Sequence, residues 1–453
     1  AHLTASQDVD LGVVISASHN PFPDNGIKFF ARGGYKLEDA VEDQIEAALS
    51  AELPHPTGAA VGRVIKGETV ADQAYISHLV DSVGTDISGL RIVVDAANGA
   101  ASVVGPAALR AAGYGEDSRL EILRDGDAVC ARTRLGLATR IAVAGHLDTV
   151  PIADNVPGRR EQRDGRDTVW GRGSVDMKGG VAVALHLAAT LSAPRRDVTW
   201  VFYDNEEVVG ERNGLGRALA ARPDWFEADL AILGEPTGAG VEGGCNGTLR
   251  LILHVPGTAA HSARAWRGVN AIHAAATLIE RVKAAPVRTV EVEGLAFRES
   301  FSVVLIEGGT AANTIPDHCR VTVNYRFAPD LTAEEALARA KRVLAGLDPV
   351  GEETDPVIDA GTGRVDVELD DLSPAARPGL DSPMARELIE LVRERGGAVG
   401  PKYGWTDVAR FSAAGIPAVN LGPGDPMLCH TDDEHCPVAQ IEAVAQILRA
   451  WLA

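Results

Sequence analysis

The sequence of 453 residues lacks the features that mark several large classes of protein. Its five cysteines are odd in number and form no C-x-x-C pair, which argues against a disulfide framework and for a reducing, cytoplasmic compartment. No apolar run reaches the length of a membrane span. Basic residues are scarce, with 43 lysines and arginines against 63 aspartates and glutamates. The net charge of −20 argues against nucleic acid or an anionic membrane as a partner.

What is present is the composition of an ordinary globular protein, with 45% hydrophobic and 23% charged residues. Residues 1–115 alternate predicted strands and helices. Gly12–Ile15 is predicted as a buried strand, and Glu38–Leu49 carries apolar residues at helical spacing. This alternation predicts an α/β fold. A predicted hairpin at Glu121–Gly136 begins a second segment, and about residue 245 to 350 the pattern changes to that of an inserted α+β unit.

Four apolar segments beyond residue 135 share one feature, which is that a histidine or a carboxylate follows each of them. In open α/β sheets, ligands bind beyond the carboxyl ends of the strands. We therefore expect the polar residues after these segments to meet at one edge of a sheet. The segments are Arg140–Gly145 before His146, Val198–Asp204 before Glu206 and Glu207, Asp229–Gly234 before Glu235, and Ile416–Gly422 before the loop with His430.

The residues at these strand ends have the composition of a metal site. Two imidazoles and three carboxylates form a mixed nitrogen and oxygen donor set that suits zinc. Five ligands are few for two ions, so one carboxylate is expected to bridge, and Asp176 in its glycine-flanked loop is the best candidate. Asp148 lies two residues after His146, where it can orient the imidazole. The predicted ligands are His146, Asp176, one of Glu206 and Glu207, Glu235 and His430.

The adjacent pair Glu206 and Glu207 allows a division of roles, in which one carboxylate binds metal and the other accepts a proton from water. Such an arrangement hydrolyses an amide bond. A single residue of this kind is most often a solvated surface residue, whereas five motifs in order at strand ends are hard to obtain by chance. The sequence therefore predicts metal-dependent amide hydrolysis. The acids 432–434, which follow His430, are expected to form a mostly solvated turn.

From about residue 120 to the end, the sequence resembles the dinuclear zinc family of aminoacylase, acetylornithine deacetylase and succinyl-diaminopimelate desuccinylase, and the desuccinylases most. The resemblance is carried by GHLDTVP, VTWVFYDNEEV, RNGLGR and GWTDVARFSAAGIPAVNLGPGDP. It implies a zinc-dependent exopeptidase-like catalytic domain at 120–243 and 353–453, with an inserted α+β lid and dimerisation domain at 244–352. It also implies a homodimer that hydrolyses N-succinyl-LL-2,6-diaminopimelate to succinate and LL-diaminopimelate in lysine biosynthesis.

The resemblance further implies the arrangement of the metal ligands. His146 and His430 would be terminal ligands, one on each of two Zn²⁺ ions, for which Co²⁺ is a possible substitute. Asp176 would bridge the two ions, and Glu207 and Glu235 would complete the two sites.

The remaining site residues take their expected roles from the same resemblance. Glu206 would be the general base, and Asp148 would orient the first histidine ligand. His261 would reach the active site of a partner subunit and stabilise the oxyanion there. Asn313 and Arg326 match substrate-binding positions of the family, and Arg326 supplies the cation that a carboxylate-bearing substrate needs.

Residues 1–115 instead resemble phosphoglucosamine mutase, through ASHNPFPDNGIKFF and GLRIVVDAANGAAS. In that family the serine that corresponds to Ser18 carries phosphate. A mutase also needs a D-x-D-x-D metal loop and sugar-binding loops, and we find neither, since Asp125 and Asp127 are followed by Val129. We therefore expect a truncated α/β phosphohexomutase-like segment, joined near residues 114–120 to a nearly complete hydrolase that lacks its own first residues.

Alternatives to the desuccinylase reaction stay open at this point. Acetylornithine or another N-acyl amino acid is the nearest rival substrate, because selectivity depends on the shape of the pocket. A phosphosugar mutase or phosphosugar-binding protein acting through Ser18 belongs to a different class, and an inactive chimera is a third possibility.

Overall fold

The structure is a computed structural model that describes residues 1–16, 26–49, 56–58, 61–63, 68–83, 101–112, 120–208 and 210–453. The chain divides into two compact units, residues 1–118 and 119–453. Ser18, the strand predicted at residues 91–95 and the joining segment 114–119 lie outside the described residues. The predictions made for them stay predictions.

The described part of the first unit contains helices and a two-stranded antiparallel sheet. The predicted helix near residues 38–49 is confirmed by α2, but the expectation that the first strand is buried is wrong. In β1, Val13 and Ile15 are 52% and 72% exposed, because a two-stranded sheet cannot cover both faces of a strand. The elements are α1 His2–Ser6, β1 Leu11–Ser16, β2 Gly26–Ala31, α2 Asp39–Leu49, α3 Glu68–Val83 and α4 Ala101–Ala111.

The second unit begins with the predicted hairpin, formed by β3 and β4. Among the described residues, no helix is both long and apolar enough to span a bilayer. The elements are β3 Leu120–Asp125, β4 Ala128–Thr133, β5 Arg140–His146, β6 Arg159–Arg163, β7 Arg166–Trp170, α5 Lys178–Thr190, β8 Asp197–Tyr203, α6 Gly214–Ala221, β9 Leu230–Leu233, β10 Val241–Gly243, β11 Gly247–Pro256, β12 Ala260–His261, α7 Ala271–Ala284, β13 Thr289–Val292, β14 Leu295–Arg298, β15 Ser300–Gly308, β16 Thr314–Ile315, β17 His318–Phe327, α8 Ala333–Ala345, β18 Asp366–Ser373, α9 Pro383–Glu394, β19 Val399–Pro401, α10 Val408–Ala413, β20 Ala418–Asn420, β21 His435–Pro437 and α11 Val438–Leu452.

An eight-stranded sheet with the order β19-β10-β20-β9-β5-β8-β4-β3 forms the centre of this unit. Its four middle strands, β20, β9, β5 and β8, are parallel to one another. These are the four apolar segments that precede histidines and carboxylates in the sequence. Their carboxyl ends therefore meet at one edge of the sheet, as expected for an open α/β fold.

Helices cover both faces of the large sheet, because alternate residues of each strand point to opposite sides. In β5, Ile141 and Val143 pack with Leu187 of α5 in one core cluster. Ala142 and Ala144, between and after them, belong to a second cluster on the other face. Helices α5, α9 and α11 thus lie on one side of the sheet, and α6 and α10 on the other.

A separate antiparallel sheet with the order β15-β17-β11-β18 forms the inserted unit. One of its faces, which includes Leu249 and Leu251, packs against α7 and α8, while Arg250 between them points to the open face. Strand β18 pairs with β11 over most of its length. The inserted unit therefore extends to Ser373, beyond the boundary predicted at residue 352, because the sheet needs this last strand to complete its edge.

Candidate metal centre

The polar side chains that follow the parallel strands come together at their carboxyl ends. His146 is the last residue of β5, and it is only 1% exposed. The side chain of Asp176, from the loop that precedes α5, is 12% exposed, and that of Glu235 after β9 is 6% exposed. His430, on the loop after β20, is the most open of the cluster, with 55% of its side chain exposed.

Asp176 lies between the two histidines. Its Oδ1 is 3.1 Å from Nε2 of His146, and its Oδ2 is 3.3 Å from Nε2 of His430. Oε1 of Glu207 is 3.4 Å from the same nitrogen of His430, and Oε1 of Glu235 is 3.9 Å from Nε2 of His146. One oxygen of Asp176 thus faces His146, which also has Glu235 nearby. The other oxygen faces His430, which also has Glu207 nearby.

Within the part of the chain that the structure describes, three groups of side chains could hold a metal ion, with their ligand atoms within 4.8 Å of one another. Two of these groups have Asp176 in common. The third group brings a carboxylate oxygen of Glu206 close to ligand atoms of His146 and Glu207. The groups are His146, Asp176 and Glu235; Asp176, Glu207 and His430; and His146, Glu206 and Glu207.

Asp148 contacts both the first histidine and the glutamate pair, through different atoms. Its carboxylate accepts hydrogen bonds from the backbone N–H groups of Glu206 at 3.1 Å and Glu207 at 3.0 Å. Nδ1 of His146 donates to its backbone carbonyl at 3.0 Å, whereas the carboxylate Oδ1 is 3.7 Å away. The predicted contact between Asp148 and the imidazole thus passes chiefly through the main chain. Since a carbonyl only accepts, Nδ1 carries a proton and Nε2 faces the carboxylates.

The charges of the cluster shift the pKa values of its members. Burial acts to raise the pKa of Asp176, but its hydrogen bonds with His146 and His430 outweigh burial and hold that pKa well below its usual range. Burial acts to lower the pKa of His146, and the hydrogen bond with Asp176 and the charge of Glu235 outweigh it, so that this pKa lies well above its usual value. The two imidazoles thus stabilise Asp176 as a carboxylate.

The other members hold protons more tightly than usual. Burial, followed by the charge of Asp176, raises the pKa of Glu235 to about 7. Hydrogen bonds with Asp176 and Glu207 raise the pKa of His430 to about 10. Burial raises the pKa of Glu206 well above its usual value, with the neighbouring carboxylates adding to the effect. Carboxylates this close together repel one another, so the arrangement is stable only when some of them are protonated or when a cation lies among them.

The residues present fit a metal ion. Oε1 of Glu207 is buried and lies 3.4 Å from Nε2 of His430, so these two candidate ligand atoms are close enough to share one ion. Buried acceptors are nearly always paired, and a cation is one partner that satisfies them. Imidazole nitrogen and carboxylate oxygen are the donors that zinc prefers.

An open cleft of about 1060 Å³ lies beside Glu206 and Glu207. Its walls come from the inserted sheet, with Thr248 and Leu369, and from the part of the unit built on the large sheet, with Trp405 in the loop before α10. The cationic side chains that line it are Arg250, Arg326 and Arg410.

Arg326 differs from the other two arginines of the cleft. Arg250 forms an ion pair with Asp370, and Arg410 with Asp407. The side chain of Arg326 makes no ion pair or hydrogen bond to any described residue. Burial lowers the pKa of Arg326, although an arginine remains charged near neutral pH. Its guanidinium is thus a cation that remains available to a ligand in the cleft.

His261 and Asn313 lie side by side but outside this cluster of ligands. His261 in β12 is paired with Thr314 in β16, and the backbone carbonyl of Asn313 accepts a hydrogen bond from the N–H of Ser262 at 2.8 Å. Both His261 and Asn313 are exposed. Nδ1 of His261 accepts the backbone N–H of Ala263 at 3.0 Å.

The prediction about the three acids after His430 is wrong for one of them. Asp432 and Asp433 are exposed, as expected of a solvated turn, but Glu434 is 0% exposed. The reason is that Glu434 begins the approach to β21, which pairs with β7 inside the unit. Its carboxylate contacts the loop that carries Asp176. The sequence gives no signal that the third of these consecutive acids is buried while the first two are exposed.

Comparison with known proteins identifies the family of the second unit. Residues 142–453 match the model of peptidase family M20/M25/M40. The chain belongs to this family. A protein of Mycobacterium tuberculosis named as a succinyl-diaminopimelate desuccinylase is 49% identical over 346 residues, which are 76% of this chain and 90% of that protein. The succinyl-diaminopimelate desuccinylase of Corynebacterium glutamicum is 44% identical over 338 residues, 74% of this chain and 86% of that one. The predicted resemblance is confirmed, and the protein is a metal-dependent hydrolase.

Two solved structures share the fold of this unit. An aminopeptidase of Bacillus cereus covers 74% of this chain and 88% of its own, with a TM-score of 0.55 at 21% identity. A dinuclear metal-binding peptidase of the M20 family from Bacillus subtilis gives a TM-score of 0.51 at 17% identity, over 73% of this chain and 86% of that one.

The first unit has different relatives from the M20 part. Residues 1–55 match the α/β/α domain I of phosphoglucomutase and phosphomannomutase. Phosphoglucosamine mutase of Nocardia farcinica is 54% identical over 129 residues, which are 25% of this chain and 28% of that protein. The predicted mutase-like segment is confirmed, and the match covers only a minor part of the mutase.

Proposed function

We propose that the protein hydrolyses N-succinyl-LL-2,6-diaminopimelate to succinate and LL-diaminopimelate, a step of lysine biosynthesis. The observation that carries the proposal is the pair of three-residue ligand groups that share Asp176, at the carboxyl ends of parallel strands. The relatives named as desuccinylases, at 49% and 44% identity, support this substrate over other amides. The test is release of succinate from that substrate by the metal-loaded protein.

The metal centre of this proposal holds two Zn²⁺ ions, with Co²⁺ as a possible substitute. His146, Asp176 and Glu235 would hold one ion, and Asp176, Glu207 and His430 the other. The spacing of their ligand atoms, with Oε1 of Glu207 3.4 Å from Nε2 of His430, supports this division. When bound, such ions polarise the amide carbonyl and lower the pKa of a water molecule.

The residues of this chain would supply the proton transfers. Glu206 lies beside the cluster without belonging to either group that contains Asp176. Its carboxylate would accept a proton from the attacking water and deliver it to the nitrogen of the leaving amine as the C–N bond breaks. Asp148 would hold the glutamate pair in place through the two backbone N–H groups that its carboxylate accepts. Glu206 and Asp148 are therefore proposed as catalytic and positioning groups respectively.

The cleft beside the cluster is proposed as the substrate site. N-succinyl-LL-2,6-diaminopimelate carries three carboxylates, and a protein with a net charge of −20 needs a local cation to bind it. Arg326, unpaired within the described residues and lining the cleft, would bind one of these carboxylates. His261 in β12 and Asn313, which directly precedes β16, are both exposed and would contact substrate held by a partner subunit.

A homodimer through the inserted unit is proposed from its exposed edge. Strand β15 lies at the edge of the inserted four-stranded sheet, and its Val304, Leu305 and Ile306 are 51%, 64% and 50% exposed. An apolar edge strand of this kind pairs readily with another chain.

The five cysteines are all free thiols, which supports a reducing compartment such as the cytoplasm.

A second candidate concerns the acyl group. A related deacylase acting on acetylornithine or another N-acyl amino acid would use the same ligands and the same general base. Assays of one protein preparation against succinyl and acetyl substrates distinguish the two, because the shape and charge of the cleft determine which acyl group it accepts.

A further inference from the structure

Glu434 lies four residues after His430 and is almost completely buried. Its Oε1 accepts hydrogen bonds from the backbone N–H groups of Val175 at 2.9 Å and Asp176 at 3.1 Å. Burying an ionised carboxylate is unfavourable unless its oxygens are paired. The pairing of Glu434 with the main chain of Asp176 is therefore a specific contact.

Arg172 completes the environment of Glu434. Its Nη1 lies 2.9 Å from Oε2 of Glu434, and only 4% and 1% of the two side chains are exposed. The same nitrogen donates to the carbonyl of Thr431 at 3.3 Å, next to His430. The N–H of Gly171 donates to the carbonyl of Glu434 at 3.0 Å. One buried ion pair thus joins the loop that carries Asp176 to the loop that carries His430.

We infer that Glu434 is a positioning residue that fixes Asp176 between the two imidazoles, with Arg172 as its charge partner. The inference rests on the proposed metal centre, in which Asp176 belongs to both ligand groups. The two oxygens of Asp176 face different histidines, so a shift of its main chain changes its position relative to His146 and His430 together. Glu434 holds the N–H of that residue.

Glu434 acts without touching the metal positions. Within the described part of the chain it belongs to none of the three candidate ligand groups. Both of its carboxylate oxygens already have donors, Val175 and Asp176 on one side and Arg172 on the other. Its effect is therefore expected in the affinity and geometry of metal binding, and through these in kcat.

The test compares the full chain with its Glu434→Gln variant. The substitution keeps the size of the side chain, but it removes the charge that pairs with Arg172. Metal-free protein is titrated with Co²⁺ alone, and binding is followed by visible absorption. We expect the affinity for Co²⁺ to fall about 10- to 100-fold, which is the usual effect of removing a partner of a metal ligand. The absorption bands are expected to change, and kcat to fall while KM stays the same.

Asp433→Asn is the matched control. Asp433 is the preceding residue, and it also pairs with an arginine, Arg163, at 2.6 Å, but its side chain is 61% exposed. This variant is expected to bind Co²⁺ with the affinity and spectrum of the unmodified chain. A loss as large as that of Glu434→Gln would overturn the inference, because it would show that any change in this turn has the same effect.

A double variant covers the case in which Glu434→Gln does not fold. Arg172→Met with Glu434→Gln removes both charges, so no unpaired ion stays buried, and it is expected to fold with the same loss of Co²⁺ affinity. If either folded variant binds Co²⁺ with unchanged affinity and spectrum, the inference is wrong. Failure of the unmodified chain to bind Co²⁺ would instead contradict the metal centre itself, and the inference with it.

Discussion

Oδ1 of Asp176 lies 3.1 Å from Nε2 of His146, although the two residues are separated by thirty positions and belong to different segments. The histidine ends β5 and the aspartate precedes α5, so the contact forms only when the strand and the helix pack together. The other oxygen of Asp176 faces His430. This relationship makes Asp176 the residue on which both proposed metal positions depend.

The shared position of Asp176 predicts unequal effects of two ligand substitutions. Asp176→Asn is expected to remove both metal equivalents, whereas Glu235→Gln is expected to weaken one, because Glu235 belongs to a single ligand group. Metal content per chain after dialysis, measured by mass spectrometry, checks this. Loss of a single equivalent from Asp176→Asn would contradict its bridging role.

Glu206→Gln is expected to lower kcat about 10²- to 10⁴-fold, the range usual for loss of a general base. Metal content should stay the same, because Glu206 is not part of either group that contains Asp176. Steady-state rates and metal analysis on one preparation give both values. Glu211→Gln, another acid that lines the cleft, is the control and should retain kcat. Undiminished hydrolysis by Glu206→Gln would refute the assigned base.

Metal binding is expected to release protons, and more of them at low pH. In the metal-free protein the pKa of His430 is raised to about 10 by its hydrogen bonds with Asp176 and Glu207. Only a neutral imidazole binds metal, so this proton must leave, and affinity should fall as pH decreases from about 10. Below pH about 7 the raised pKa of Glu235 adds a further proton to those held by His430 and His146.

Calorimetric titration in buffers of different ionisation enthalpy, at pH values above and below 7, measures these protons. The count should be larger on the acid side, and His430→Gln should reduce it on both sides. Metal uptake without proton release at either pH would contradict the arrangement of the cluster.

Arg326→Met is expected to lower kcat/KM for N-succinyl-LL-2,6-diaminopimelate. A hydrogen bond to a charged group contributes about 1.5–3 kcal/mol, which corresponds to roughly 10- to 150-fold. Arg326→Lys should recover part of this, since it restores the charge without the planar guanidinium. Arg250→Met is the comparison, and its effect should be smaller because Arg250 already pairs with Asp370. Equal effects at the two positions would argue against a special role for Arg326.

Leu305→Lys is expected to convert a dimer into monomers, because it places a charge on the exposed edge strand β15. Sedimentation velocity of the variant and of the unmodified chain checks this. Glu307→Lys, two residues further along the same strand, controls for a change of charge alone. A monomeric unmodified chain would remove the basis of the dimer proposal.

The part of the site that was predictable from the sequence is the part set by strand direction. His146, Glu206, Glu207 and Glu235 each lie within a few residues of the end of an apolar run, and parallel strands bring such residues to one edge whatever the rest of the fold is. The bridging position of Asp176 was expected from its glycine-flanked loop, and the two distances to the imidazoles agree with that expectation.

The contacts that escaped prediction depend on tertiary packing. Asp432, Asp433 and Glu434 are alike in sequence, and only the pairing of the next strand with β7 buries the third. The role of the Asp148 main chain could not be inferred from side-chain types. The inserted sheet extends to β18 because its pairing with β11 spans about a hundred residues of sequence, which no local pattern indicates.

The measurement that tests the central claim most directly is release of succinate from N-succinyl-LL-2,6-diaminopimelate by the full chain loaded with Zn²⁺. We predict equal amounts of succinate and LL-diaminopimelate, loss of activity with a chelator, recovery when Zn²⁺ is restored, and slower turnover of acetylornithine. A folded, metal-loaded protein that releases no succinate, or one whose rate a chelator does not change, would contradict the account.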